Sequence, residues 1–433
     1  MNKFQPLAVM AGSRTPFAKS FTSMSQVSAV DLGTTAVKTL LNQAKLKGDA
    51  VDEVIMGNVS GPPDAANIAR VISLMAGIPH DRIAHTVNRN CGSGMESIVA
   101  AWHSINEGRS GLTIAGGTES MSQVPMLWSS EAQTQWLQMA RAKTVRQKIS
   151  ALASFRPRHF KPVVALELGL TDPTCSLNMG QTAELLAEKF NVTRAEQDQF
   201  ALESHQKAEA AQQACFFSGE CTAVVHAGDK IIDTDNAIRK GQSIEQLKKL
   251  RPIFNRSGNV TAGNSCPLTD GAAALLLASL NQAEKLQSEP LGYITGYAIA
   301  GCRPDHMGLG PVHATAKLLQ KTHLSLDDFD LVEINEAFAA QVIACQRAFA
   351  CQNYAKSELG MTSAVGELRP EITNIHGGAI ALGHPVGTTG TRMILTLLRS
   401  LRAAGKRRGL ATLCIGGGQG LSMIVETDLE MRQ

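Results

Sequence analysis

The sequence predicts an α/β protein in which one α/β unit is used twice, around a middle segment of different texture. Three observations predict it. Apolar runs such as Leu112-Thr113-Ile114-Ala115 and Leu410-Ala411-Thr412-Leu413-Cys414-Ile415 carry no charge, as expected of strands buried on both faces under helical cover. The order glycine-rich start, helix, glycine stop, strand, glycine cluster occurs once around residue 100 and again around residue 400. Glycine is abundant at 38 residues while aromatic residues make up 4%, which suits closely packed small residues better than an aromatic-rich sandwich.

Taken in order, Pro6-Leu7-Ala8-Val9-Met10 reads as the first strand, followed by a Gly/Ser turn. Cys91-Gly92-Ser93-Gly94 opens a helix that runs through Met95 to Trp102 and stops at Gly108. The strand Gly111-Leu112-Thr113-Ile114-Ala115 follows and ends in Gly116-Gly117. The middle, roughly 125–265, breaks the pattern. Residues 131–162 carry seven Lys or Arg against one acid, Glu131. Val145, Ile149 and Leu152 recur at helical spacing and predict an amphipathic helix there. Its basic face reads either as a solvated surface or as a dock for an anionic cofactor, a partner protein or a membrane surface. Thr193, with Glu196 three residues on, predicts a capped helix start. In the last third, Gly387-Thr388-Thr389-Gly390 opens the helix around Met393-Ile394-Leu395-Thr396-Leu397-Leu398, which ends near Gly405. The strand Leu410–Ile415 then ends in Gly416-Gly417-Gly418.

Composition narrows the function. With 44% hydrophobic and 18% charged residues, the chain has the makings of large cores. A formal net charge of +3 over 433 residues does not mark a nucleic-acid binder. No apolar run reaches the ~18 residues of a membrane span. The nine cysteines include no CxxC pair, so zinc-ribbon and thioredoxin readings lack support. Reduced thiols and a cytoplasmic location are expected.

The chemistry concentrates where strands and helices end. Cys91 lies between the strand-like His85-Thr86-Val87 and a helix start, where free N–H groups and the helix dipole favour thiolate; the plainer reading is a small buried hydrophobe. Asn335 and Glu336 follow the buried run Leu331-Val332. His384 is pinned between Gly383 and Pro385, at the start of the second-half helix, in a loop open enough for a ligand to approach. Cys414 ends the repeated strand, before Gly416. If a pseudo-twofold axis relates the halves, two thiols, an imidazole and an amide meet in one cleft. That set fits acyl transfer: a nucleophile, a base, a second thiol to move a proton, and donors for an oxyanion.

These segments resemble the thiolase family. Cys91-Gly92-Ser93, Asn335-Glu336-Ala337-Phe338, Gly383-His384-Pro385 and Cys414-Ile415-Gly416 are similar, in order, to its four catalytic motifs. Ser13-Arg14-Thr15-Pro16-Phe17, Gly116 through Ser122, and Val260 through Ser265 extend the likeness over nearly the whole chain. The resemblance implies a five-layer αβαβα fold of two halves, residues 1–122 with 266–289 and residues 290–433, with a loop domain at 123–265. It implies that Cys91 attacks the 3-keto carbon of a 3-ketoacyl-CoA. His384 helps to deprotonate Cys91 and afterwards the incoming CoA thiol, and Cys414 protonates the acetyl-CoA enolate. Asn335 holds a water that, with His384, binds the enolate thioester oxygen, while the N–H groups of Cys91 and Gly416 bind the oxyanion of the acyl-enzyme. Coenzyme A is then a substrate, with no permanent cofactor and no metal, because the thioester already acidifies the α-carbon.

CoA contacts are implied for Arg239 near the nucleotide, for Ala262, Ser265 and Phe338, and for Met307 in the pantetheine tunnel; an ordinary surface cation and a core methionine are the plainer readings of Arg239 and Met307. Cys266 stands where many relatives have Ser or Thr. Short-chain biosynthetic relatives often carry Tyr-His-Met-Gly where this chain has Leu177-Asn178-Met179-Gly180. The basic segment up to Arg156-Pro157-Arg158-His159-Phe160 looks like the insertion in β subunits of trifunctional fatty-acid-oxidation complexes. Both features lean towards a degradative 3-ketoacyl-CoA thiolase rather than an acetyl-CoA acetyltransferase running the reverse condensation. Expected partners are a second or further copies, as homodimer or homotetramer, a hydratase/dehydrogenase α subunit, and a membrane surface contacted through 131–162. The rivals are a ketoacyl synthase, which Cys414 argues against, and a non-catalytic thiolase-like lipid carrier, which the intact Cys91, His384 and Cys414 argue against.

Overall fold

The computed structural model describes residues 5–226 and 230–429. In the first half the long strands are β1 (Leu7–Arg14), β2 (Glu53–Gly57), β3 (Ile83–Val87), β4 (Leu112–Ser120) and β5 (Thr269–Ala278). In the second they are β6 (Gly292–Gly301), β7 (Leu331–Ile334), β8 (Arg408–Ile415) and β9 (Gln419–Glu426). They form one sheet in the order β3-β2-β4-β5-β1-β6-β9-β8-β7.

The pairing pattern is written twice. In the first half β2 runs parallel to β3 and β4, and β4-β5-β1 are antiparallel. In the second half β7 is parallel to β8, and β8-β9-β6 are antiparallel. The counterpart of β3 has shrunk to one parallel bridge between Val332 and Thr373. The halves join edge to edge through Leu7, Ala8 and Val9 of β1 against Ile294, Tyr293 and Gly292 of β6. The duplication expected from the sequence is therefore a duplication of topology.

The helices that follow are α1 (Ala29–Gln43), α2 (Ile68–Met75), α3 (Ser93–Asn106), α4 (Ser130–Arg141), α5 (Val145–Ala153), α6 (Met179–Lys189), α7 (Arg194–Gln213), α8 (Gly310–Thr322), α9 (Ala339–Ala350) and α10 (Thr389–Ala403). Strand alternation sorts them into layers. Ala8, Val54, Met56, Ala274 and Leu276 face α1 and α2. Their neighbours Leu7, Val9, Ile55, Leu275 and Leu277 face the other way, onto α3 and α10. Ala411, Leu413, Leu421 and Met423 close that central layer from the second half, while Leu410 and Ile424 face α8 and α9. The result is helix, sheet, helix, sheet, helix.

The central layer is where glycine matters. A Cβ at Gly94 in α3 would sit 2.8 Å from the backbone N of Thr391, and one at Gly390 in α10 would sit 2.5 Å from the backbone N of Met95. The two helix starts touch backbone to backbone, and the Thr391 hydroxyl donates to the Gly94 carbonyl at 3.0 Å. Gly116 and Gly117, expected to end a strand, instead lie inside β4. A Cβ at Gly117 would collide with the Gly387 carbonyl, so Gly117 admits the loop before α10 rather than turning the chain, while a Cβ at Gly116 would strike the Ala273 carbonyl of β5.

In the middle segment, α5 carries the expected apolar stripe, yet Val145, Ile149 and Leu152 are exposed at 75%, 63% and 59%. The start of α7 has the capping box expected of Thr193 and Glu196.

Candidate active site

Cys91 occupies the turn between β3 and α3. Its neighbour Asn90 is in left-handed backbone (φ +45), and the turn is locked by Ser93, whose hydroxyl donates to the Asn90 carbonyl at 2.7 Å and accepts the Arg89 N–H at 2.9 Å. The Asn90 amide donates to the Gly416 carbonyl at 2.9 Å, which brings the turn after β8 onto the nucleophile. Burial pushes the Cys91 thiol up, the backbone N–H groups of Gly416 and of Cys91 itself pull it down, and the Glu119 carboxylate pushes it up again. Desolvation wins over the helix start. The thiolate that the sequence position favours is corrected to a resting thiol.

His384 opens the second half's equivalent turn. Gly383 precedes it at φ +104, and a Cβ there would strike the Thr269 side chain. The backbone N–H of His384 donates to the Thr269 hydroxyl at 3.2 Å. The Thr389 hydroxyl gives its proton to the Pro385 carbonyl at 3.0 Å and lies 2.6 Å from His384 Nδ1. With that proton committed, Nδ1 is the donor and the lone pair sits on Nε2. Nε2 is buried without a partner. Burial, helped by the Arg392 charge, holds this imidazole down to about 3, so it stays neutral.

Cys414 ends β8 almost fully buried. Its thiol is pushed far up by burial first, then by Cys91, Cys345 and Cys266. It is held as S–H, a proton donor. Asn335 follows β7 beside it, with its N–H on the Thr412 carbonyl at 3.0 Å. Both side-chain polar atoms of Asn335 are buried and unpartnered, an arrangement that costs ~1–3 kcal/mol per group and marks a place for a ligand or water.

The site residues thus reach one region by different routes. Cys91, Cys266 and Cys414 feel one another's charge. Gly416 lies against Cys91. Asn335 and Cys414 extend adjacent parallel strands, and Cys91 and His384 precede two helices in contact at Gly94 and Gly390. Met307 and Phe338 are buried in the cluster that contains Cys414. Ser265 pairs by backbone with Phe338, but its hydroxyl is used on the Thr261 carbonyl at 2.7 Å. Ala262 and Arg239 are exposed, and no contact joins either side chain to Cys91, His384 or Cys414 among the described residues.

Three residues of the region carry no role in the sequence reading, although Met179 and Glu119 lie in segments it singles out. Met179 has its sulfur 3.2 Å from where a Gly416 Cβ would stand. Phe254 meets Phe338 edge to face, with centroids 5.9 Å apart, and borders a cleft of about 770 Å³ also lined by Leu177, Gln181 and Leu185. Glu119 is buried and accepts from the Ser60 side chain, from Val59 N–H at 3.0 Å and from Gly387 N–H at 3.0 Å. It clamps the loop carrying His384. Its only sequence signal was a place in the segment Gly116–Ser122. Among the described residues, no group of three or more His, Cys, Asp or Glu is arranged to hold a metal ion, and no helix is long and apolar enough to cross a membrane.

Two family models match the chain: the thiolase N-terminal domain over residues 7–281 and the thiolase C-terminal domain over residues 288–427. The chain is 39% identical to a 3-ketoacyl-CoA thiolase of Aliivibrio fischeri, covering 99% of this chain and 98% of that protein. It is also 39% identical to an acetyl-CoA acetyltransferase of Chromobacterium violaceum, over 97% and 99%. The solved structure of human mitochondrial 3-ketoacyl-CoA thiolase in complex with CoA is similar with a TM-score of 0.85 at 37% identity, covering 98% of both chains. With both domain models matched in order and such likeness from end to end, the chain belongs to the thiolase family.

Proposed function

We propose that the protein cleaves 3-ketoacyl-CoA with CoA, giving acetyl-CoA and a shortened acyl-CoA, in fatty acid β-oxidation. The observation that carries this is a buried, neutral His384 whose Nε2 has no partner, together with two protonated thiols, the partly buried Cys91 and the buried Cys414, close enough for one to push the other up. In the empty site a Cys91–His384 ion pair is unfavourable, so proton transfer is tied to attack. The Cys91 proton goes to Nε2 as sulfur bonds to the 3-keto carbon, and the oxyanion falls to the N–H groups of Cys91 and Gly416. The C2–C3 bond then breaks towards C2. Water on Asn335 and His384 hold the enolate oxygen, and Cys414 delivers its proton to C2. His384 returns a proton to Cys414, takes one from the incoming CoA thiol, and passes it to Cys91 as the acyl group leaves on CoA. CoA is substrate throughout. Arg239, Ala262, Ser265, Met307 and Phe338 line its path, Arg239 meeting the nucleotide end.

The same site run in reverse is an acetyl-CoA acetyltransferase, a reading supported by the Chromobacterium violaceum relative of that name. Asn178 favours cleavage of longer chains: it caps α6 through Gln181 and supplies no imidazole. The deciding experiment is kcat/KM across a 3-ketoacyl-CoA chain-length series with CoA, read as loss of the Mg²⁺-enolate absorbance. No loss at any chain length would leave the non-catalytic carrier.

The proposal extends to organisation. The working domains are 1–122 with 266–289, 123–265 and 290–433, in a homodimer or homotetramer. The exposed stripe Val145, Ile149 and Leu152 beside Arg146 and Lys148 suits a hydratase/dehydrogenase subunit; the alternative is an anionic membrane surface, and co-purification against vesicle sedimentation separates the two. Nine free cysteines favour a cytoplasmic location.

A further inference from the structure

The turn that supplies Gly416 is closed by the Gly418 N–H on the Ile415 carbonyl at 3.2 Å and pinned at its far end by the Cys302 N–H on the Gly418 carbonyl at 2.7 Å. Gly417 and Gly418 follow at φ +88 and +82, and a glycine run is the most freely moving backbone a chain can have. Neither of those bonds holds the Gly416 carbonyl, so a donor from another element must fix it. The residue before the nucleophile is placed to do so. Asn90 is held on its own side by the Asn88 side chain, which accepts its N–H at 2.9 Å, and by Ser93, whose N–H and hydroxyl donate to its carbonyl at 3.0 and 2.7 Å. From this rigid seat its amide Nδ2 crosses to the other half of the molecule and donates to the Gly416 carbonyl at 2.9 Å. The left-handed backbone of Asn90 (φ +45) is what turns the side chain that way, and Asn is among the few residues that adopt it readily. Arg89 makes a second strap in the same direction, from Glu96 on α3 at 2.7 Å to Gln419 at the start of β9 at 2.8 Å.

We propose that Asn90 is a positioning residue: by fixing the Gly416 carbonyl it holds the Gly416 N–H where the acyl-enzyme oxyanion forms. The inference rests on the acyl-transfer reading of Cys91. A hydrogen bond that served only the fold would affect stability and leave the rates of a folded variant alone. The test is single-turnover acylation of Cys91 by a 3-ketoacyl-CoA, together with steady-state kcat and KM. N90G keeps the left-handed backbone and deletes the donor; acylation and kcat should fall ~10–100-fold while KM stays within about twofold. N90D keeps the shape but sets a carboxylate against the Gly416 carbonyl. Should N90G fail to fold, N90D carries the test. It should be slow at neutral pH, and its rate relative to the parent should recover as pH falls from about 8 to about 5.5, because a protonated carboxyl next to a carbonyl donates again. Parent-like acylation by N90G, a raised KM with kcat intact, or a pH-independent N90D-to-parent ratio would each overturn the proposal. An adduct forming on the Cys91→Ala protein would instead overturn the reading of the nucleophile beneath it.

Discussion

At the scale of single residues, protonation decides the chemistry. Cys91→Ala removes the sulfur flanked by the N–H groups of Gly416 and of its own residue; incubation with substrate followed by intact-mass measurement should show no acyl adduct. Cys414→Ala leaves that adduct able to form but slows turnover, by ~10²–10⁴-fold for a lost proton donor; loss of acylation in a folded Cys414→Ala protein would mean that the two cysteines have exchanged roles. His384 predicts a pH dependence of stability. Its folded value is about 3 against 6.5 for an ordinary histidine, so the unfolded chain takes up the proton first as pH falls. Stability from this group is complete above about 6.5 and is lost progressively down to about 3. Urea unfolding of His384→Asn should therefore lose less stability between pH 7 and pH 5 than the parent does; equal losses would show that this imidazole is not buried as drawn. Cys91 and His384 were legible as residue types in telling places. Their protonation was not, because desolvation depends on every atom packed around a group rather than on its neighbours in sequence.

Elements bring these residues together through glycine. The starts of α3 and α10 can touch only because Gly94 and Gly390 have no Cβ, each facing the other helix's backbone at 2.8 and 2.5 Å. Backbone cannot swing aside as a side chain can, so Gly94→Ala should cost ~1–3 kcal/mol of overpacking and move Cys91 relative to His384. Urea melts should show the loss, and kcat should fall more than the melts alone explain; unchanged activity would mean that the crossing is not what sets the site. The glycine-rich starts were visible in the sequence, and so were both helices. The role of Gly117 was not, since a glycine admitting a distant loop reads the same as a glycine ending a strand. The capping box of α7 lay within four consecutive residues and was read correctly for that reason.

Across the whole molecule, the halves and the middle segment are tied by buried charge. Arg14 in β1, 1% exposed, donates to Glu220 at 2.6 Å and in a two-pronged contact to Asp235 at 2.7 and 2.8 Å. Thr396 of α10 donates to the same Glu220 at 3.1 Å. Arg14→Met would leave two buried carboxylates without their cation. A broken buried pair costs ~3–5 kcal/mol, so thermal unfolding should come markedly earlier; a parent-like melt would show the network to be dispensable. Asp235 lies four residues before Arg239, so any folded fraction should also show a raised KM for CoA. Sequence alone determined the α/β class, the doubled unit, the capped start of α7 and the order of the motifs, because apolar runs, a helix cap and glycine-rich helix starts are set by neighbours a few residues apart. Tertiary structure alone decided that Asn90 reaches Gly416, that Arg14 holds the middle segment, and that the Cys91 and Cys414 thiols rest protonated and the His384 imidazole neutral. Contacts between remote residues and the loss of water around them exist only once the chain has packed.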